Sequence, residues 1–252
     1  MRIALVSTPR SGNTWLRYLL ADLHGLRQQA IHSPTEFAWQ DSPDRTIVQV
    51  HWPPTADFLE LLSTAQFTPL TVCRHPLDVL ISILHFCRRE PATASWLLGD
   101  GGDENSIQWA APADAAFERY AVGPRARALL AISAAWWSHP GVLKVRYESL
   151  VETPEQVLRG LLPDEAVSAD AVKHVVKTHG IEQLRTSSSN HHFWSGKPGI
   201  WQSLMPNALA MPVFQAHADV FDRLSYDVAR SGAEPDQQSC SRTWARMAVE
   251  RS

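Results

Sequence analysis

A chain of 252 residues with a formal net charge of −3 is long enough for one large α/β core, and its charge balance gives no general attraction to nucleic acid. No stretch approaches the roughly 18–20 consecutive apolar residues of a membrane span. The chain enters its first apolar run at Arg2 without a leader and cleavage site. Cys73, Cys87 and Cys240 are too scattered for a disulfide framework or a CxxC zinc site, so a metal-free, cytoplasmic protein is expected.

Arg2–Val6 is an apolar run of strand formers, and Trp15, Leu16, Leu19, Leu20 and Leu23 recur at helical spacing up to Gly25. Between them lies the turn Ser7-Thr8-Pro9-Arg10-Ser11-Gly12-Asn13-Thr14. Strand, polar turn and helix together hold a phosphate, because the first N–H groups of a helix have no intrahelical partner. Gly12 lets the backbone approach an anion, and Ser11 and Thr14 add hydroxyl donors. A nucleoside triphosphatase loop reads G-x-x-x-x-G-K-[ST]. Here Ser7 takes the place of its first glycine and Asn13 that of its lysine, while Arg10 brings a cation into the turn. The loop suits a 5′-phosphate group rather than ordinary γ-phosphoryl transfer.

The stretch from Gln28 to Asp44 reads as a loop or short-helix excursion carrying Phe37 and Trp39. Thr46–Val50 is a second strand, ended by His51-Trp52-Pro53-Pro54, which puts His51 at a strand's carboxyl end, where open α/β sheets bind ligands. A short helix follows over 56–62, then a third strand, Pro69–Cys73, which runs into Arg74-His75-Pro76 and another helix. Arg74 and Ser82 can face one phosphate, the guanidinium as a fork and the hydroxyl as a single donor. Residues 88–125 read as a lid or acceptor insert around Gly99–Asp103. A helix over 125–137 and a strand over 142–147 precede helices that begin near Pro154 and Val167. The polar run 186–192 is expected to be mobile, and its adjacent His191 and His192 diverge too far to make a metal site. The segment Phe193–Trp201, with Gly196, Lys197 and Gly199 ahead of a helix, can fold over an anion. One helix is expected over 208–224, and from about 231 a polar tail with room for one short helix.

Three of these segments, taken in order, resemble the sulfotransferases that use 3′-phosphoadenosine 5′-phosphosulfate (PAPS). Thr8, Pro9, Ser11, Gly12, Thr14 and Trp15 match the family's 5′-phosphosulfate loop T-Y-P-K-S-G-T-T-W, with Arg10 in place of its lysine. Arg74, Pro76, Asp78 and Ser82 match the 3′-phosphate motif R-N-P-x-D-x-x-x-S. Gly196, Gly199 and Trp201 match the late R-K-G-x-x-G-D-W motif, whose Arg-Lys pair is replaced by Trp194 and Ser195. His51 matches the histidine of K-T-H-x-P, and Gln49 stands where that motif has lysine. Tyr147-Glu148 resembles a strand end whose tyrosine lies near the adenine.

The resemblance covers roughly residues 1–227 and implies a single P-loop-containing three-layer α/β/α domain with a central parallel sheet. It implies transfer of a sulfuryl group from PAPS to a small-molecule hydroxyl, leaving 3′-phosphoadenosine 5′-phosphate (PAP), with no metal. By the same resemblance His51 is the general base, and Arg10 with Ser11, Gly12, Asn13 and Thr14 holds the leaving phosphate. Trp15 and Tyr147 attend the adenine, while Arg74, Ser82 and the Ser195-Gly196-Lys197 loop hold the 3′-phosphate. Either Arg10 suffices without the missing lysine or another basic residue such as Arg17 or His85 contributes, and Glu36 is an alternative base. A small-molecule P-loop kinase and a catalytically silent nucleotide-binding relative are the competing readings. The tryptophan-rich composition, ten in all, suits an aromatic or lipophilic acceptor such as a natural product.

Overall fold

The computed structural model of the chain describes residues 1–90, 104–162, 167–187 and 193–249. The expected glycine-rich loop at 99–103 and the His191-His192 pair lie outside them. Residues 1–74 and 131–196 form one compact unit, and residues 75–130 and 197–252 form another.

The first unit is built on a parallel five-stranded sheet. Its strands are β1 (Arg2–Val6), β2 (Arg27–Ala30), β3 (Thr46–Val50), β4 (Thr68–Cys73) and β5 (Leu143–Arg146), in the order β2-β3-β1-β4-β5. The sheet is covered on both faces because its inner strands are apolar at successive positions, and alternation sends neighbours to opposite sides. Ile3, Leu5, Ile47, Leu70 and Val145 pack with Leu16, Leu19 and Leu20 of α1 (Asn13–His24). The same cluster takes in residues of α6 (Tyr147–Glu152), α7 (Pro154–Leu161), α8 (Ala169–Thr178) and α9 (Ile181–Ser187). Ala4, Val6, Val48 and Val50 face the other way, onto Phe58 and Leu62 of α2 (Ala56–Thr64) and onto Ile132 and Trp136. This is the three-layer arrangement that the alternation of strands and helices predicts.

The structure departs from the sequence expectations at the margins. Arg27–Ala30, expected within an irregular excursion, is an edge strand; all four side chains are exposed, and its backbone pairs with β3 from Arg27 opposite Thr46 to Ala30 opposite Gln49. Tyr147 is the first residue of a helix rather than the last of a strand.

In the second unit, α3 (Pro76–Arg89) is buried over most of its length. The other helices lying in or entering this unit are α4 (Ala115–Ala121), α5 (Pro124–Ser138), α10 (Trp201–Leu204), α11 (Asn207–Ala216), α12 (Ala218–Leu224) and α13 (Gln237–Val249). The helix expected over 208–224 is interrupted at His217, which is wholly buried and donates from Nε2 to the Ala121 carbonyl at 2.7 Å. The polar stretch after 231 contains α13, with Cys240 and Trp244 buried.

Candidate functional site

Three features hold the loop between β1 and α1 in shape. The side-chain Nδ2 of Asn13 donates to the Thr8 carbonyl at 2.8 Å and so braces the turn from the position where a triphosphatase carries lysine. Ser7 Oγ accepts from the Val72 amide at 2.8 Å, which ties the loop to β4. Thr8 and Ser133 exchange bonds, the Thr8 amide donating to Ser133 Oγ at 2.8 Å and the Ser133 amide to Thr8 Oγ1 at 3.1 Å. Ser133 Oγ in turn donates to the Val72 carbonyl at 3.0 Å. Sequence reasoning missed Ser133, and no motif marks it.

The braced loop presents an anion cradle. Arg10 has φ 66° and Gly12 φ 100°, so two left-handed residues turn the chain before the helix. The N-cap residue is Gly12, so it gives α1 no side-chain cap, and the first turn holds no acidic residue. Those first N–H groups therefore lack the usual capping partner and carry the positive end of the helix dipole. The Ser11 hydroxyl is buried and has no hydrogen-bond partner among the described residues. An unpartnered buried hydroxyl beside uncapped amides fits a phosphate or sulfate oxygen. Thr14 is half-buried in the first turn. Trp15 is buried in the core, its indole N–H donating to the His179 carbonyl at 2.8 Å.

Tyr147 closes one side of the cradle. Its ring lies under the Arg74 guanidinium, 4.5 Å from centroid to Cζ, and meets Trp15 edge-on at 6.3 Å. Its hydroxyl donates to the Gly196 carbonyl at 2.8 Å, which holds the end of the 193–196 segment. Arg74 is mostly buried at the end of β4 and reaches the Arg10 carbonyl at 3.3 Å, so it also fixes the left-handed turn. Ser195 is half-buried beside Gly196.

His51 stands just past the end of β3. Its Nδ1 donates to the Ser7 carbonyl at 2.8 Å, which makes Nε2 the acceptor nitrogen of a neutral ring. Burial pushes its pKa down to about 4, against the raising effect of the Ser7 bond, and the charges of His32, Arg10 and Arg17 lower it further. Two positions back along the strand, Gln49 is buried with Oε1 unpartnered among the described residues. Arg17, one turn into α1, is drawn out of water, and burial lowers its pKa. Its guanidinium lies 5.3 Å from the Tyr18 ring centroid.

In the second unit, the Asp78 carboxylate is wholly buried. It accepts from the amides of Gly199 at 2.7 Å and Trp201 at 2.9 Å, anchoring the late glycine segment to α3. The motif spacing picks out Asp78, but sequence reasoning gave it no partner and missed this role. Ser82 is buried within α3, and Lys197 is exposed. Among the described residues no group of three or more His, Cys, Asp or Glu side chains could hold a metal ion.

No protein-family model and no curated protein matches the chain. Solved structures do. Mouse sulfotransferase SULT7A1 complexed with PAP is similar over 88% of this chain and 84% of its own, at 16% identity and a TM-score of 0.64. Retinol dehydratase in complex with androsterone and the inactive cofactor PAP is similar over 92% and 84%, at 15% identity and a TM-score of 0.58. Retinol dehydratase with retinol and PAP covers the same shares, at 15% identity and a TM-score of 0.56. The five-stranded parallel sheet flanked by helices is thus a sulfotransferase-like α/β fold, as expected from the sequence.

Proposed function

We propose that the protein is a PAPS-dependent sulfotransferase that moves a sulfuryl group to a hydroxyl of a small-molecule acceptor. The observation that carries this reading is the start of α1 without a side-chain cap from Gly12, its loop holding Arg10 and a Ser11 hydroxyl without a partner among the described residues, with Arg10 within electrostatic reach of the neutral His51. Likeness in fold to three PAP complexes supports it, and androsterone and retinol in two of them support a small apolar acceptor.

When bound, PAPS supplies an activated sulfuryl group whose bond to the 5′-phosphate oxygen breaks as the acceptor oxygen bonds to sulfur. Arg10 and the first amides of α1 stabilise the charge left on the phosphate, as preorganised donors do. Nε2 of His51 takes the hydroxyl proton, its tautomer set by the Ser7 carbonyl. An imidazole with a pKa of about 4 is a poor proton holder. Anionic groups in the cradle offset Arg10 and Arg17 and raise that pKa toward a useful value. Arg17 supplies the cation that Gln49 cannot, because it already stands near enough to act on the His51 ring. Arg74 is assigned to the 3′-phosphate, and Ser82 and Lys197 enter from motif position alone.

Calorimetric titration with PAP, 5′-AMP and Mg-ATP tests the reading. Micromolar or tighter PAP binding that needs the 3′-phosphate and weakens at least tenfold in Arg74→Ala is the expected result. Preference for Mg-ATP turns the reading to a kinase, and PAP binding without transfer to any hydroxyl turns it to a silent relative.

A further inference from the structure

A cavity of about 570 Å³ opens between the segment 33–41 and α2, within the first unit. Its volume lies in the range of small-molecule sites. Its walls are aromatic: Phe37, Trp39, Trp52 and Phe58 all line it. The rings are fixed in place. Trp39 meets Phe37 edge-on at 5.1 Å and Phe58 at 5.6 Å, and its indole N–H donates to the Pro34 carbonyl at 2.8 Å. The Trp52 backbone carbonyl accepts from the Trp136 indole at 2.7 Å. The edge-on contacts and the Trp39 indole bond preorder this wall, in which Phe37 and Trp52 are half-buried and Trp39 and Phe58 buried.

The charge of the lining is one-sided. Asp41 and Asp57, both exposed, line the cavity, and among the described residues none that lines it is basic. Of the groups whose charge acts on His51, Arg10 and Arg17 belong to the β1–α1 loop and α1, and His32 adjoins the cavity wall at Ser33 without lining it. Aromatic faces attract a cation through the ring quadrupole, and two carboxylates at the same cavity add to that attraction while repelling an anion.

We infer that this cavity is a binding site for an aromatic or polycyclic molecule carrying a protonated or quaternary amine. The inference stands apart from the sulfuryl-transfer reading, since it uses neither the cradle nor His51. Trp52 follows His51 in the chain and Ser33 follows His32, so the cavity wall continues directly into residues whose charges meet at His51. Neither His51 nor any residue of the β1–α1 loop lines the cavity, so an occupant is held by a separate set of side chains.

The test uses three probes with one ring system: 2-(2-naphthyl)ethylamine, its N-acetyl derivative and 3-(2-naphthyl)propanoate. Binding to the full chain is followed by calorimetry and by tryptophan quenching, without nucleotide. The amine is expected to bind at least about fivefold more tightly than either partner. The preference is expected to vanish in Asp41→Asn/Asp57→Asn, a double change at exposed positions that leaves the packing intact. Equal binding of the three probes, no saturable binding of the amine, or a preference that survives the double change overturns the inference. PAP titration of the same variant separates this outcome from failure of the sulfotransferase reading, because neither aspartate belongs to the cradle.

Discussion

Tyr147 packs so closely on Gly12 that a β-carbon at residue 12 would lie 2.5 Å from Tyr147 Cδ2. The glycine's φ of 100° is also one that L-residues rarely adopt. Gly12→Ala is therefore expected to destabilise the protein by about 2–4 kcal/mol and to abolish PAP binding. Urea unfolding and calorimetry check the two effects. A variant of native stability that still binds PAP would mean that the ring is not fixed against the loop.

The hydroxyl of the same tyrosine holds the Gly196 carbonyl. Tyr147→Phe keeps the ring beneath Arg74 but removes that bond, at a cost of about 1 kcal/mol. PAP affinity is expected to fall only a few-fold, and faster amide exchange at residues 193–196 reports the loosened segment.

Arg10 holds a left-handed conformation that a glycine adopts without penalty. Arg10→Gly relieves that strain while adding freedom to the unfolded chain, so stability is expected to stay level or rise by up to about 1 kcal/mol. Turnover with PAPS is expected to fall by about two to three orders of magnitude, since the cation nearest the leaving phosphate is gone. Thermal unfolding and steady-state kinetics measure the two effects. Unchanged turnover would remove Arg10 from the chemistry.

The strand–turn–helix of β1 and α1 was legible because its signals are local: an apolar run, a polar turn with Gly12 and a helical repeat from Trp15. The inner strands were legible for the same reason. β2 was not, because Arg27–Ala30 has exposed polar side chains and becomes a strand only through its backbone ladder with β3. Ser133 was invisible because its partner Thr8 lies 125 residues away in sequence. The break at His217 follows from one buried imidazole bond to Ala121, a contact that helical periodicity does not encode. Asp78 fell between these cases: spacing marked it, but only the fold shows its carboxylate on the amides of Gly199 and Trp201.

The depressed pKa of His51 sets a pH dependence. A base must be neutral, and this ring charges only as pH falls toward about 4, not at the usual 6.5. The ratio kcat/KM for the acceptor, at subsaturating PAPS, is expected to stay level from pH 8 to about 5 and to fall below that. His51→Ala is expected to lower turnover by about two to four orders of magnitude with PAP affinity retained. An acid limb near 6.5 would show that the free protein holds the ring in water rather than against Ser7.

Arg17 and Gln49 give the last test. Gln49 offers a buried carbonyl without a partner among the described residues where the resembling motif has lysine, and the charge of the part-buried Arg17 acts on the same histidine. Arg17→Ala is expected to cut turnover at least about tenfold, while PAP, which lacks the sulfuryl group, binds within about threefold of the unaltered protein. Arg17→Lys retains most of the activity, because the position asks for charge more than for a fork. Adding Gln49→Lys to Arg17→Ala is expected to restore turnover, since a lysine on β3 then carries the charge on the same side of the strand as His51. A double variant no better than Arg17→Ala, with its fold intact by circular dichroism, would mean that the two positions do not serve one role, and that Arg10 alone supplies the positive charge at the transferring group.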